Sequence, residues 1–220
     1  FTAYCGFRVN SGEYKLMGLA PYGEPSYEKV IYDKLIDLKP DGSFWLNTEY
    51  FDFLNDRRIT NERFHNLFGG PPRQPEGPIE ERYMDAARSI QNVAEEIMLR
   101  LARHARTVSG EQNLCLAGGV ALNCVANGRI LREKIFEQIW IQPAAGDAGG
   151  ALGAALTAWH DDQLAGQAPR PRKVRDEMRG ALLGPEFSDA EIQRVLGAYR
   201  ANYTRHAEEE TIQRAAELLA

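Results

Sequence analysis

Residues 113–151 read NLCLAGGVALNCVANGRILREKIFEQIWIQPAAGDAGGA, and they indicate the architecture more clearly than any other part of the chain. Two short apolar runs, residues 113–117 and 138–142, each pass through a turn of small residues into a helical pattern. Short strands that alternate with helices in this way are typical of a parallel sheet covered by helices. The stretch therefore predicts an α/β fold with a mostly parallel sheet flanked by helices.

The sequence on either side of this stretch is mainly helical. Apolar residues spaced three and four apart predict a long amphipathic helix over residues 83–105. On the other side, residues 161–179 are charged and contain proline, as in a linker, and Ser188 with Glu191 forms a capping-box pattern. We expect residues 1–168 to form one domain, and residues 169–220 to hold a linker and helices.

Composition limits the classes of function. The chain has 220 residues, 44% of them hydrophobic, and a formal charge of −5, so it offers no basic field that would gather nucleic acid. It contains no apolar run of the roughly 18 residues that indicate a membrane-spanning helix. Three widely spaced cysteines predict no disulfide framework, which favours the cytoplasm. No nucleic-acid or membrane partner is expected, and nothing in the sequence indicates an oligomeric state.

The two glycine turns are candidate anion sites. They contain Gly118 and Gly119 after the first predicted strand, and Gly146, Gly149 and Gly150 after the second. Backbone N–H groups in a turn without side chains can approach a phosphate, and the following helix N-terminus adds a positive partial charge. Ligands of open α/β sheets collect at these carboxyl ends of strands. The alternative is that the glycines only allow close packing of helix on strand.

Four further polar residues are candidates, each with a plain structural alternative. Asp147 could bind a metal ion or orient a phosphate, or it could cap the helix that follows. Asn123, one turn into its predicted helix, could hydrogen-bond a nucleotide or be an ordinary polar residue. Lys15 lies in a glycine-rich segment where it could pair with a phosphate, although most lysines are simply solvated. Glu13, two residues before it, belongs to the same segment.

Three long motifs of this chain resemble the nodulation-type O-carbamoyltransferases, a family that also includes enzymes of antibiotic biosynthesis. The motifs are residues 12–23 (GEYKLMGLAPYG), 114–123 (LCLAGGVALN) and 141–155 (IQPAAGDAGGALGAA). Three shorter segments are similar as well: residues 67–73 (LFGGPPR), 89–91 (SIQ) and 183–185 (LGP). The resemblance extends along nearly the whole chain.

The resemblance implies a fold of the sugar kinase/actin/Hsp70 (ASKHA) type and a two-stage reaction. In such proteins a C-terminal domain uses ATP and carbamoyl phosphate to make carbamoyl-adenylate. The N-terminal domain then transfers the carbamoyl group to a hydroxyl of a small molecule or sugar. The present chain corresponds to the later part of the transfer domain, so we expect it to be the middle of a longer protein and inactive alone.

The same resemblance implies roles for particular residues. Gly118, Gly119 and Asn123 fall on the family's nucleotide-contact turn, and the second glycine turn would help to hold the phosphate. Asp147 falls on an aspartate that binds a divalent or iron-type metal ion together with two histidines, which would lie before Phe1. Glu13 and Lys15 fall on the motif of residues 12–23, the early motif, which lines the same nucleotide-binding cleft in the family.

Two other functions are compatible with the pattern. One is a small-molecule kinase on the same type of fold, which would use the γ-phosphate of ATP and need no adenylate-forming domain. The other is a non-enzymatic interaction module gated by a nucleotide. A domain further along the reading frame that activates carbamoyl phosphate would favour the transferase over both of them.

Overall fold

The computed structural model of the chain describes residues 1–53, 58–164 and 178–219. It divides the chain into two units, Phe1–Pro169 and Arg170–Ala220. Most of the predicted linker, residues 165–177, lies outside the described residues. The roles predicted for the two domains stay predictions. No helix among the described residues is long and apolar enough to cross a membrane.

The first unit is an α/β arrangement of six helices and four short strands within its described residues. The helices are α1 Glu13–Leu19, α2 Glu28–Val30, α3 Glu62–Leu67, α4 Glu81–Ser109, α5 Cys124–Arg132 and α6 Ala148–Leu164. The strands are β1 Ile36–Leu38, β2 Phe44–Leu46, β3 Asn113–Leu116 and β4 Gln138–Ile141. Short 3₁₀ turns at Ala20–Tyr22, Thr48–Tyr50 and Gly119–Leu122 join some of these elements. The α/β class agrees with the prediction, and the ASKHA assignment stays a prediction.

Helix α4 contributes to both main hydrophobic cores of the first unit. The predicted long helix is confirmed, and it ends where Gly110 adopts a left-handed conformation with φ 71°. Near its start, Tyr83, Ala86 and Val93 pack into an aromatic core. The remaining buried members of that core are Tyr4, Cys5, Ile31, Leu35, Ile36, Phe64 and Phe68. Near its end, Leu99 and Ala102 join a second core that contains Ile130 and Phe136.

The two sheets have two strands each and differ in direction. β1 and β2 form an antiparallel hairpin, in which Ile36 faces Leu46. The spacing of apolar residues over residues 26–38 predicts one helix with Ser26 as its cap, and this prediction is wrong from Ile36 onward. The backbone forms a π-turn at Ile31–Leu35 and then extends, because Ile36 is buried as a strand residue against the aromatic core. Asp41 and Gly42 are a hairpin-turn signal that predicts a short strand at residues 43–46, and this strand is confirmed as β2.

Strands β3 and β4 form the predicted parallel pair, with Asn113 opposite Gln138 and Leu116 opposite Ile141. Alternate side chains point to opposite faces of a strand. Leu114 and Ile139 accordingly pack on the second core, whereas Trp140 on the other face is half exposed.

The second unit contains two described helices, α7 Asp189–Ala198 and α8 Glu208–Leu219. The predicted capping box is confirmed. The backbone N–H of Glu191 donates to the Ser188 hydroxyl at 3.4 Å, and the backbone N–H of Ser188 donates to the Glu191 carboxylate at 2.8 Å. These reciprocal bonds satisfy groups that a helix N-terminus otherwise leaves unpaired.

Candidate functional site

The two glycine turns meet at the carboxyl ends of β3 and β4. The backbone N–H of Gly118 in the first turn donates to the carbonyl of Ala145 in the second, at 2.7 Å. The parallel ladder continues to this edge, where the N–H of Gln142 donates to the carbonyl of Leu116 at 3.1 Å. Two consecutive strand–turn–helix units predict neighbouring strands with both turns at their carboxyl ends, and this arrangement is confirmed. The expected nucleotide contacts of the turns stay predictions.

Two of the turn glycines are needed by the fold itself. Gly118 has φ 98° and ψ 161°, a backbone conformation that is essentially restricted to glycine. A Cβ added at Gly149 would lie 2.1 Å from the carbonyl oxygen of Ala144, so only glycine fits beside that backbone. Backbone conformation therefore accounts for Gly118, and close packing against the Ala144 carbonyl accounts for Gly149.

The other turn glycines have no such reason to be glycine. A Cβ built at Gly119 or at Gly150 meets no atom of the described chain within 4 Å. At Gly146 its nearest neighbour is a side-chain carbon of Leu122 at 4.0 Å, an ordinary contact. Gly119 and Gly150 are both exposed. Their bare backbone leaves open space beside the junction of the two turns, which is the kind of cradle that a phosphate group requires.

Asn123 does not lie inside its helix as predicted, because it is the N-cap of α5. Its Oδ1 accepts a hydrogen bond from the backbone N–H of Ala126 at 3.1 Å. The preceding residues, Gly119–Leu122, form a separate 3₁₀ turn. Asn123 also forms a reciprocal amide pair with Gln91 of α4, with both N···O distances 3.1 Å. Its polar atoms thus already have protein partners, and its nucleotide contact stays a prediction.

Gln91 lies near the site, and sequence reasoning assigned it no role. It belongs to the SIQ segment, and it is a buried amide on a helix face that is otherwise mostly apolar. A buried polar side chain needs hydrogen-bond partners. The helical pattern of α4 places this amide on the buried face, which was the available signal that it needs a partner. The pattern could not identify that partner, because Asn123 lies 32 residues further along the chain.

Asp147 directly precedes α6 and has an exposed side chain. Its carboxylate forms no hydrogen bond or ion pair with any other described residue, so the structure gives no support to the capping alternative. No group of three His, Cys, Asp or Glu side chains within the described ranges is arranged to hold a metal ion. A free carboxylate suits a hard cation, so Asp147 is compatible with its predicted role as one metal ligand, and that role stays a prediction.

The early motif packs on α4 beside the first glycine turn. Leu19 and Ala20 contact Ala87, and Gln91, one helical turn further on, contacts Asn123. Residues four apart share one face of a helix. α4 therefore brings the early motif and the first glycine turn to the same face, and the cleft that they are predicted to share stays a prediction.

The two charged residues of the early motif have different surroundings. The Glu13 carboxylate accepts a hydrogen bond from the backbone N–H of Asn10 at 2.8 Å, so it braces a local turn. Lys15 is exposed and has no ion-pair partner among the described residues. Its amine is thus available to an anion, and its predicted ligand contact stays a prediction.

The LFGGPPR segment has a structural role. The Tyr4 hydroxyl donates to the carbonyls of Phe68 at 2.9 Å and Gly70 at 3.1 Å. The guanidinium of buried Arg73 donates to the carbonyl of Cys5 at 2.9 Å. Burial raises the pKa of the Cys5 thiol to about 11, so this thiol is not a nucleophile at neutral pH. These contacts fasten the first residues of the chain to the loop before α4.

Residues 1–156 match the family described as Carbamoyltransferase N-terminus. An uncharacterized protein of Synechocystis sp. is 54% identical over 222 residues, which cover 100% of this chain and 36% of the relative. Nodulation protein NolNO of Sinorhizobium fredii is 34% identical over 209 residues, 94% of this chain and 28% of the relative.

Nodulation protein NolO of Bradyrhizobium diazoefficiens is 37% identical over 174 residues, 79% of this chain and 29% of the relative. The chain thus spans about a third of the length of these curated relatives. The matched region includes the early motif, strands β3 and β4, and both glycine turns. The chain therefore belongs to the carbamoyltransferase family defined by this N-terminal domain.

Proposed function

We propose that this chain forms part of the transfer site of an ATP-dependent O-carbamoyltransferase with an ASKHA-type fold. In this proposal the two glycine turns hold the phosphate of carbamoyl-adenylate, and the carbamoyl group passes to a hydroxyl of a small molecule or sugar. The protein works in the cytoplasm. The observation that carries the proposal is the open backbone at Gly119 and Gly150, on two turns joined by a hydrogen bond at one sheet edge. Membership of the carbamoyltransferase family supplies the reaction class.

The reaction is an acyl transfer whose needs match this geometry. The acceptor oxygen attacks the carbamoyl carbon, the bond from that carbon to the phosphate oxygen breaks, and AMP leaves with the electron pair. The hydroxyl proton is released. Backbone N–H groups around Gly119 and Gly150 stabilise the negative charge on the leaving phosphate, because fixed donors in a turn need no reorganisation. Lys15 adds a mobile positive charge from the early motif.

Asp147 is proposed as a carboxylate ligand of a divalent or iron-type metal ion. When bound, such an ion would supply electrophilic help at the carbamoyl carbonyl. The residues of this chain perform the binding and orienting steps without it: the turns hold the phosphate, and the early motif closes the other side of the cleft.

Gly119→Ala is expected to weaken AMP binding by the full-length protein about tenfold or more. The added methyl group occupies the open side of the turn and keeps the phosphate away from the N–H groups, which removes about one charge-assisted hydrogen bond. The melting temperature should stay close to that of the wild type, because the Cβ meets no neighbour within 4 Å in the described chain. Calorimetric titration with AMP measures the affinity.

Gly153→Ala is the matched control for this substitution. Gly153 lies within α6, and a Cβ there also meets no described atom within 4 Å. It should leave the AMP affinity unchanged. Equal affinities of the wild type and Gly119→Ala would contradict a phosphate site at the first turn.

A further inference from the structure

We infer that Gln91 is a positioning residue of the first glycine turn and acts on it through Asn123. The inference rests on the proposed function, because the turn is the part of the chain assigned to the nucleotide phosphate. Gln91 itself lies in the middle of α4 and is 6% exposed. It is assigned no contact with the nucleotide.

The hydrogen bonds fix the orientation of both amides. The Oδ1 of Asn123 must face the backbone N–H of Ala126, which it caps at 3.1 Å. The Nδ2 of Asn123 therefore points to the Oε1 of Gln91 at 3.1 Å. In return, the Nε2 of Gln91 donates to the same Oδ1, also at 3.1 Å. Rotating either amide by 180° would bring oxygen against oxygen and nitrogen against nitrogen.

Gln91 is in turn held by a buried carboxylate. Its Nε2 donates a second hydrogen bond to Oε1 of Glu95 at 3.0 Å, so both of its amide hydrogens are used. The other Glu95 oxygen lies 3.4 Å from the Arg129 guanidinium of α5. Gln91 therefore cannot rotate without leaving a buried polar group unpaired, which makes the pair with Asn123 a rigid link between α4 and α5.

The turn depends on this link because its last residues are fixed to α5. The Nδ2 of buried Asn127 donates to the carbonyl of Ala121, within the 3₁₀ turn, at 2.7 Å. Asn123 ends that turn and starts α5. With Ala87 holding the early motif one helical turn away, Gln91 sets the position of the glycine turn relative to that motif. A shift of the amide pair would move the phosphate-binding N–H groups relative to the opposite wall of the cleft.

Two substitutions in the full-length protein break the pair in different ways. Gln91→Met keeps the length of the side chain and removes its amide. Asn123→Asp keeps the helix cap, since aspartate is an equally good N-cap, but loses the donor to Gln91. Hydrogen exchange of the backbone amides in residues 118–123 reports the turn directly. Each variant is expected to exchange about tenfold faster there than the wild type, as expected for the loss of one buried hydrogen bond.

Ser89→Ala is the matched control, since it removes another buried hydrogen bond from the same helix. The Ser89 hydroxyl accepts from the backbone N–H of Tyr27 at 2.9 Å, away from the glycine turn. This variant should speed exchange near Tyr27 and leave residues 118–123 within about twofold of the wild type. Exchange at 118–123 that is unchanged in both Gln91→Met and Asn123→Asp, or equally fast in Ser89→Ala, would overturn the inference.

Titration with AMP on the same preparations separates this inference from the proposed function. Faster exchange at the turn together with about tenfold weaker AMP binding in Gln91→Met supports both. If the wild type does not bind AMP, the proposed function fails, while the exchange data still decide whether Gln91 positions the turn.

Discussion

Replacing Gly23 by alanine is expected to lower the free energy of unfolding by about 3 kcal/mol or more, the upper end of the range for overpacking. An ideal Cβ at Gly23 would lie 2.1 Å from the carbonyl carbon of Met84 and 2.2 Å from its oxygen. It would also lie 2.5 Å from the backbone nitrogen of Asp85. All three are backbone atoms within α4, so no side-chain rotation relieves the overlap. The early motif must move away from the helix on which it packs.

Gly18→Ala tests this explanation within the same motif. Gly18 lies in α1 with an exposed position, and a Cβ there meets no described atom within 4 Å. Alanine in place of glycine within a helix should stabilise the protein by up to about 1 kcal/mol. Urea unfolding followed by circular dichroism measures both variants. A Gly23→Ala protein as stable as Gly18→Ala would show that the close contact with α4 does not exist.

Asp147→Asn is expected to reduce carbamoyl transfer by the full-length protein about a hundredfold or more, and to reduce its bound metal. Loss of electrostatic help at one position of a catalytic site commonly has an effect of that order on the rate. The stability should not change, because the Asp147 carboxylate has no partner among the described residues whose loss could destabilise the fold. The amide keeps the shape of the side chain, removes its charge and replaces one carboxylate oxygen by an NH2 group.

The measurement combines metal analysis, melting temperature and acceptor carbamoylation on one preparation. Asp37→Asn provides a control for the loss of one exposed carboxylate, since Asp37 pairs with Lys39 on the β1–β2 hairpin, far along the chain from the turns. The control should retain its metal and its rate. Full metal occupancy and near-native turnover in Asp147→Asn would remove Asp147 from the set of ligands.

Local patterns in the sequence were sufficient for much of the fold. The spacing of apolar residues predicted α4, and the strand–glycine–helix order predicted β3 and β4 side by side. The capping box at Ser188 predicted the start of α7. The periodicity of α4 and the capping box involve near neighbours in sequence, and a single helix connects β3 to β4, so local patterns indicate all three features.

The errors arose where distant residues decide the conformation. The chain leaves the helical path at Ile36 because this residue pairs with Leu46 and is buried in the aromatic core. Asn123 is a cap held by Gln91, a partner on another helix. Helical propensity and periodicity carry no information on such contacts, and tertiary packing overrides them.

In the candidate site, too, local sequence predicted the turns, whereas contacts with distant atoms decide the role of each glycine. The sequence identified both turns, and the structure brings them together. The sequence alone could not show that Gly149 avoids the carbonyl of Ala144 while Gly150 faces open space. That difference depends on the atoms around each Cβ position. This distinction matters for function, because only a glycine that the fold itself does not require indicates a ligand.

The proposed reaction is tested by incubating the full-length protein with ATP, carbamoyl phosphate and a series of candidate hydroxyl acceptors, and following the nucleotide released. Our account predicts that AMP appears together with a carbamoylated acceptor, and that both products require carbamoyl phosphate. It also predicts that Gly119→Ala slows their formation. Release of ADP with a phosphorylated acceptor, in the absence of carbamoyl phosphate, would contradict the account and indicate a kinase.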